Sequence, residues 1–447
     1  MARPNVTVII DDQSFVISGT ESGSITRGGL VSAHGLVQAI GDTGERKTGL
    51  IETNSISEWV NRLKVNEPTG VQGEADGFAG HYGGSQVVAI GGTAQRWPAG
   101  PTGAWAGEWW AVHNFLQYGG VAVIGGSGAA GSKSPQTPTS TNSPLHDNDI
   151  PLDVVFCGNT ANNRTAHDSA SNRGGLDFLG TPSALQVNTI INIATTRGDC
   201  IAMVPHGTTT GDGGASNAAT ICTWDSTPIT PPASEFVSVV WGNKLHLGMA
   251  KDTSEGNQDL VCTNMSADAA GCIARTDRES APWYSPAGVR RGQILDVVRV
   301  QDTLTEAEQD TTYNAGVNPV LVFPGEGTML FGDKTRKPTT STLSRINVSR
   351  LFMFLKKTVG AAARSKLFEF NDEDTRGSFV NAVTPLLENI RARRGLYDYR
   401  VVCDASNNTG AIIDANQFVA DIFIKPAKSI NFIKLTFTNK NTDDDLG

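Results

Sequence analysis

The sequence predicts a multidomain α/β protein: a central α/β domain, an α+β C-terminal domain, and extended β-arms at the N- and C-termini. Three observations predict it. A length of 447 residues corresponds to about two to four domains. A strand at 152–157, a helix at 182–195 and a strand at 199–204 have the spacing of a βαβ unit. Towards the end, two long helical stretches are followed by three strands. Hydrophobic residues, 39% of the chain, are enough for a core, while 49 glycines and only 18% charged residues suit a protein with hidden surface or long loops, as large assemblies have.

The expected boundaries are 1–20 (N-terminal β-arm), 21–98 (small N-terminal domain), 99–325 (central α/β domain), 326–428 (C-terminal domain) and 429–447 (C-terminal arm). Val6, Val8 and Ile10 alternate with polar neighbours, as in a strand that must borrow a partner from its own sheet or another subunit's. Ser55-Ile56-Ser57-Glu58 is a capping box opening a helix with Ile56, Trp59, Val60 and Leu63 at helical spacing. After the Gly/Pro-rich 97–101, Trp105, Trp109, Val112 and Leu116 share one helix face, read as core rather than a ligand cage. Gly119-Gly120 ends that helix, and 121–124 is a buried strand. Residues 125–150 are Gly-rich, then Ser/Thr/Pro-rich, as in a long surface loop or mobile segment. Thr305 and Glu308 form a second capping box, for a short helix through Asn314.

In the C-terminal domain, 346–368 is helical with Leu351, Leu355, Val359, Ala363 and Leu367 on one face. A second helix spans about 374–394, with Pro385 expected to kink it or start a new one and Gly395 as the C′ stop. Strands follow at 397–403, 417–424 and 430–437, the last alternating through Ile430, Phe432, Ile433 and Leu435.

The net charge of −9 argues against a nucleic-acid coat. It is unevenly spread: residues 326–447 hold 18 Lys and Arg against 14 Asp and Glu, the rest 18 against 31, so the C-terminal quarter has a different electrostatic partner. No run of 18 apolar residues is present, and the start lacks the features of a signal peptide. Six cysteines without a CxxC pair suggest reduced, buried thiols. Gly126–Gly131 matches GxGxxG after a strand, but Pro135, Pro138 and Pro144 prevent the helix a pyrophosphate needs, and Ser132 stands where a Walker lysine belongs. His146, Asp147, Asn148, Asp149 and Asp153 lack the glycine and distal glutamate of a calcium loop. There is no HxxH or HExxH pair and no GxSxG elbow. Arg391, Arg393 and Arg394 close a helix, where positive charge is favoured, and could contact an acidic protein surface; Lys356, Lys357, Arg364 and Lys366 add to the local excess.

The stretches Leu367–Arg376 (LFEFNDEDTR) and Arg393–Asp404 (RRGLYDYRVVCD) resemble the contractile-tail sheath proteins of bacteriophages. The likeness continues through Asn407-Asn408-Thr409, Ile413-Asp414, Ala420–Ala427 (ADIFIKPA) and Ile430–Ile433 (INFI). Shorter matches in the same order are Tyr118-Gly119-Gly120, Arg197-Gly198-Asp199-Cys200, Ser285–Val289, Gly316-Val317-Asn318-Pro319 and Gly332-Asp333-Lys334-Thr335. The match is dense over the last 120 residues, sparse over 100–330 and loose over 20–95.

The resemblance implies a structural homo-oligomer rather than an enzyme, forming hexameric rings stacked around a tail tube and contracting to drive that tube through the host envelope for genome ejection. It implies tube, baseplate and tail-terminator proteins as partners, no cofactor, no catalytic residue, no metal, no direct nucleic acid and no membrane insertion. It places the protein in the virion tail after synthesis in the host cytoplasm. Terminal arms carrying Val6, Val8, Ile10, Ile430, Phe432, Ile433 and Leu435 would complete neighbours' sheets, the C-terminal domain would lie against the tube, and the central domain would face outward. Tube-facing candidates are Lys356, Lys357, Arg364, Arg391, Arg393 and Arg394. A sheath of a bacterial contractile injection system or tailocin shares this chemistry; an α/β enzyme, the distant alternative, would need a helix directly after Gly131.

Overall fold

A computed structural model describes residues 25–32, 36–37, 50–65, 87–90, 93–96, 106–126, 143–158, 176–178, 184–206, 222–224, 227–229, 231–251, 258–301, 303–338 and 340–429. Both expected arm strands, Trp105 and the glycine-rich run after Gly126 lie outside these residues.

In chain order the strands are β1 (Arg27–Ser32), β2 (Leu50–Thr53), β3 (Val87–Ile90), β4 (Thr93–Arg96), β5 (Val121–Gly126), β6 (Val154–Phe156), β7 (Leu176–Phe178), β8 (Ile201–Pro205) and β9 (Cys222–Trp224). There follow β10 (Thr227–Ile229), β11 (Val237–Trp241), β12 (Asn243–Lys251), β13 (Gln258–Asn264), β14 (Arg299–Val300), β15 (Val317–Phe323), β16 (Gly327–Leu330), β17 (Leu396–Val402) and β18 (Asp421–Pro426). The helices are α1 (Ile56–Val65), α2 (Ala106–Leu116), α3 (Ala184–Arg197), α4 (Ser266–Glu279), α5 (Glu306–Asn314), α6 (Ile346–Arg364), α7 (Glu373–Ala392) and α8 (Gly410–Asp414).

Short strands, the central ones largely apolar, build an eight-stranded sheet in the order β16-β15-β11-β8-β6-β1-β5-β2, with β15 through β5 parallel and the two edge strands antiparallel. A parallel sheet must be covered on both faces. The strand period of two sends Leu30, Ile124, Phe156, Met203 and Val240 into one core with α2 and α4, and Val31, Val123, Val155, Val204 and Val239 into another with α3. The expected βαβ unit is β6-α3-β8, with Val154 opposite Ile201. β1 and β2, from the segment expected as a small N-terminal domain, are strands of this same sheet, and β1 lies between β6 and β5. Its Gly28 is held against Phe115, where a Cβ would stand 2.5 Å from the ring. A second sheet, β14-β12-β13-β7, has four strands, and β3-β4 and β9-β10 are hairpins. The cysteines at 157, 200, 262, 272 and 403 carry buried free thiols.

The third core belongs to the C-terminal domain, where Leu351, Leu355 and Val359 of α6 meet Phe379, Val383, Leu387 and Ile390 of α7 under the β17-β18 ribbon. Three details depart from expectation. Helix α6 stops at Arg364, four residues early, because the chain turns there and Phe368 takes a left-handed φ of 71°. Helix α7 runs unbroken through Pro385, whose ring is exposed while the opposite face packs, so the carbonyl it deprives of a partner lies on the solvent side. At its end Arg394, not Gly395, takes the left-handed position (φ 63°), and the Gly395 N–H bonds the Ile390 carbonyl at 2.8 Å. Glycine is needed at 395 for a different reason: a Cβ there would meet Ile390 at 2.5 Å and Trp283 at 3.0 Å.

Candidate assembly surface

The C-terminal end of α7 gathers three of the six basic candidates. Arg391 is exposed, pairs with Glu388 at 2.8 Å and lies over the Tyr399 ring. Arg393 lies over Trp283, donates to the Ser280 carbonyl at 2.7 Å, and through its own carbonyl accepts from Trp283 Nε1 and Tyr284 Oη. Arg394 is exposed, and among the described residues it pairs with no carboxylate. Arg391, Arg394, Leu396, Tyr397, Ala427 and Lys428 line an open groove of about 590 Å³ where β17 and β18 meet the helix end. The ribbon presents Tyr397 and Phe423, 62% and 44% exposed, and among the described residues neither outer edge of it has a strand partner.

The basic residues of α6 divide. Arg364 is exposed at the helix end. Lys356 and Lys357 reach instead onto the central domain. Lys356 Nζ donates to the carbonyls of Arg197 (3.2 Å) and Gly198 (3.1 Å), placing a cation on the C-terminal end of α3. Burial lowers its pKa. Lys357 bonds the Leu152 carbonyl and pairs with Asp153 at 2.6 Å. Burial works against that ammonium, but Asp153 outweighs it and holds its pKa above the ordinary value, while Asp153 is held below its own. Asp153, which the sequence groups with the 146–149 cluster, is thus committed to Lys357, and no described group of three or more His, Cys, Asp or Glu side chains is arranged to hold a metal.

Four of the five shorter sequence matches have a job in this scaffold. Arg197 pairs with Asp199 at 2.9 Å and donates to the carbonyls of Leu145, Asp147 and Ile150, while Gly198 adopts φ 61° to turn α3 towards β8. Asn318 donates to Ser238, Val239 and Lys334 and accepts from the Lys334 N–H at 2.7 Å, tying the Gly316–Pro319 match to Gly332–Thr335. Tyr118 Oη donates to Asp268, which also takes Lys244 at 2.8 Å.

Two features escape sequence reasoning. Arg350 of α6 grips Asp277 of α4 with two hydrogen bonds of 2.7 and 2.6 Å, and Thr26 donates to the same carboxylate. A place beside an apolar stripe gives no cue to such a partner. Phe368 and Phe370, in the turn between α6 and α7, are 88% and 83% exposed. The LFEF string itself is the available signal, since two phenylalanines in a turn have no core to enter.

Residues 177–336 match the family described as the phage tail sheath protein central domain, and residues 339–440 the phage tail sheath C-terminal domain. The tail sheath protein of Vibrio phage KVP40 is 39% identical over 304 residues, 61% of this chain and 45% of that protein. That of Enterobacteria phage T4 is 45% identical over 182 residues, 41% of this chain and 28% of that protein. The chain thus spans less than half the length of these curated relatives. The fold is similar to the sheath complex of an extracellular contractile injection system in its contracted state (TM-score 0.62, 16% identity, 98% of each chain). It is also similar to the contracted helical sheath of the anti-feeding prophage (TM-score 0.60, 15% identity, 98% of this chain and all of that one). With two tandem sheath domains covering more than half of its residues, the chain belongs to the phage tail sheath family.

Proposed function

We propose that the chain is the structural subunit of a contractile phage tail sheath, stacking as hexameric rings around a tail tube and shortening to drive that tube through the host envelope. The tandem match of both sheath domains supports this reading most directly. The boundaries given above, save that β1, β2 and β16 belong to the central sheet, the arms as strands lent to neighbours, the C-terminal domain beside the tube and the central domain outside belong to the same proposal. Baseplate and terminator partners, a place in the virion tail and synthesis in the host cytoplasm belong to it too. The two-stranded β17-β18 ribbon supports the arms, because its described edges leave backbone groups for a borrowed strand. Of the tube-facing candidates, Arg364, Arg391 and Arg394 retain exposed charge, whereas Lys356 and Lys357 serve the subunit's interior. Exposed ion pairs suit an attachment that must let go, being individually worth about 1 kcal/mol or less.

The fold likeness to injection-system sheaths favours a second reading, the sheath of such a device; genome neighbours, with or without capsid and terminase genes, separate the two. Electron microscopy of the concentrated protein tests the proposal. Hollow, helically striated tubes are expected, and deleting residues 1–12 should abolish them while leaving a soluble folded subunit. Tubes formed normally by the deletion variant would refute the arms; a chain that stays dispersed even with tube and baseplate added would refute the sheath.

A further inference from the structure

The turn between α6 and α7 and the groove at the far end of α7 have complementary chemistries that the sheath reading leaves unassigned. Phe368 and Phe370 stand 88% and 83% exposed in that turn, with exposed Glu369 between them and exposed Asp372, Glu373 and Asp374 just after. Asp372 caps α7, and Glu373 and Asp374 suit its first turn, but Glu369 lies before the helix. Among the described residues Glu369, Glu373 and Asp374 pair with no basic side chain. Phe368 takes a left-handed φ of 71°, a conformation a bulky side chain keeps only where its surroundings hold it. The turn is pinned by Asn371, whose Nδ2 donates to the Gln417 carbonyl at 2.7 Å and whose Oδ1 accepts from Arg376 at 2.7 Å. Two aromatic rings and their acidic neighbours are thus held out on a fixed turn.

The groove has the opposite charge and the same apolar character. Its wall is cationic (Arg391, Arg394, Lys428) and its floor apolar or aromatic (Leu396, Tyr397, Ala427). Arg391 is shared with Glu388, but among the described residues Arg394 and Lys428 pair with no carboxylate. Turn and groove lie at opposite ends of α7, whose 20 residues span about 30 Å, so a subunit cannot fill its own groove. A second copy can. We propose that the Phe368–Asp374 turn of one subunit docks in the groove of another, its phenylalanines beside Tyr397 and its carboxylates against Arg394 and Lys428. The chain has a second run of three carboxylates, Asp443-Asp444-Asp445, but Thr442 and Leu446 flank it and it brings no aromatic ring to the floor. Buried rings supply the affinity and unlike charges the orientation. A contact between two different patches of one chain is head-to-tail, so it repeats into a closed ring or an open helix. The proposal deepens the sheath reading and rests on it for the assembly in which copies meet. It assigns Arg391 and Arg394 to the neighbouring subunit and leaves Arg364 to the tube.

Zero-length carbodiimide coupling of the concentrated full chain, mapped by mass spectrometry, tests this, because it joins Lys428 to a carboxylate only in direct contact. Mixing 14N- and 15N-labelled protein distinguishes links between copies from links within a chain. The expected product is a link between copies from Lys428 to the 369–374 segment. Its yield should fall at least fivefold in Phe368→Ser/Phe370→Ser, which leaves every coupling group in place, and also in Arg394→Glu. Both variants change exposed side chains, and circular dichroism identical to the parent's keeps the comparison sound. A yield unchanged in either variant would overturn the proposal, as would Lys428 linked only within its own chain or only to Asp443–Asp445. Electron microscopy of the same samples separates this contact from the reading it deepens. Striated tubes without the link would overturn the contact alone, the link without tubes would keep the contact and overturn the sheath, and the absence of both would overturn both.

Discussion

The Arg350–Asp277 pair allows a sharp test of what holds the C-terminal domain to the rest of the subunit. The side chains are 6% and 9% exposed and meet through two parallel hydrogen bonds, and Thr26 beside β1 uses the same carboxylate. Three segments far apart in sequence therefore share one charge pair. At an effective dielectric constant of about 20, charges about 4 Å apart attract by about 4 kcal/mol, and burial of the two ions costs a comparable amount. The intact pair is thus close to neutral in stability, but either partner left alone is a buried, uncompensated charge.

Arg350→Met or Asp277→Asn should each destabilise the protein by about 3–5 kcal/mol, while Arg350→Met combined with Asp277→Leu should cost much less than the sum. Guanidinium unfolding followed by tryptophan fluorescence reads the effect, because Trp283 reports on the C-terminal core and Trp109 and Trp110 on the central one. A double variant as unstable as the two single costs added together would refute the reasoning, as would a single substitution costing under about 1 kcal/mol.

Two further perturbations have signs that the structure decides. Burial pushes His113 of α2 and His246 of β12 down to about 4, with Lys244 nearby assisting and Asp296 opposing. Unfolded imidazoles titrate near 6.5, so between these values the unfolded chain binds more protons; stability is complete above pH 6.5 and falls as pH drops towards 4, by about 2 kcal/mol per histidine at pH 5. Denaturation midpoints at pH 7 and pH 5 should show this loss in the parent and much less of it in a His113→Gln/His246→Gln variant, and equal losses would refute it. Gly271→Ala pits helix propensity, a gain of up to about 1 kcal/mol, against overpacking, a cost of about 1–3 kcal/mol. Overpacking should win, since the new Cβ would stand 2.2 Å from the Tyr118 ring, and that ring is pinned by hydrogen bonds to Asp268 and the Leu295 N–H. A raised melting temperature would show the opposite balance.

Local regularities are legible in the sequence where local forces act. The α5 capping box (Thr305 to Glu308, 2.8 Å) and the β6-α3-β8 unit form as their spacing predicts, and the α6 stripe does so through Leu351, Leu355 and Val359, while Leu367 falls beyond the helix end. The first capping box forms only in part: Glu58 N–H reaches Ser55 Oγ at 3.5 Å, while the Glu58 carboxylate accepts from Thr53. Sheet order is not legible. β1 pairs with β5, in register Gly28 with Ala122, across more than 90 residues, and nothing in the period of either strand names its neighbour. Helix ends depart from the usual signal where packing overrides it, as when Arg394 takes the left-handed turn because Gly395 is pressed against Ile390 and Trp283.

The basic residues teach the same lesson about function. Charge counting puts Lys356, Lys357, Arg364, Arg391, Arg393 and Arg394 in one class, since a sequence reports a charge but not where its counter-charge comes from. The fold divides them by partner. Lys357 finds Asp153, some two hundred residues earlier, and Lys356 finds the carbonyl end of α3, so both hold the C-terminal domain on the central sheet. Arg393 finds Trp283 and Ser280 and fixes the end of α7. What remains for an outside surface is Arg364, Arg391 and Arg394, since Arg393, though exposed, is held by Trp283 and Ser280; this is a smaller excess than the count suggests. Two arginines of that set, Arg391 and Arg394, line the groove beside Leu396 and Tyr397 of β17.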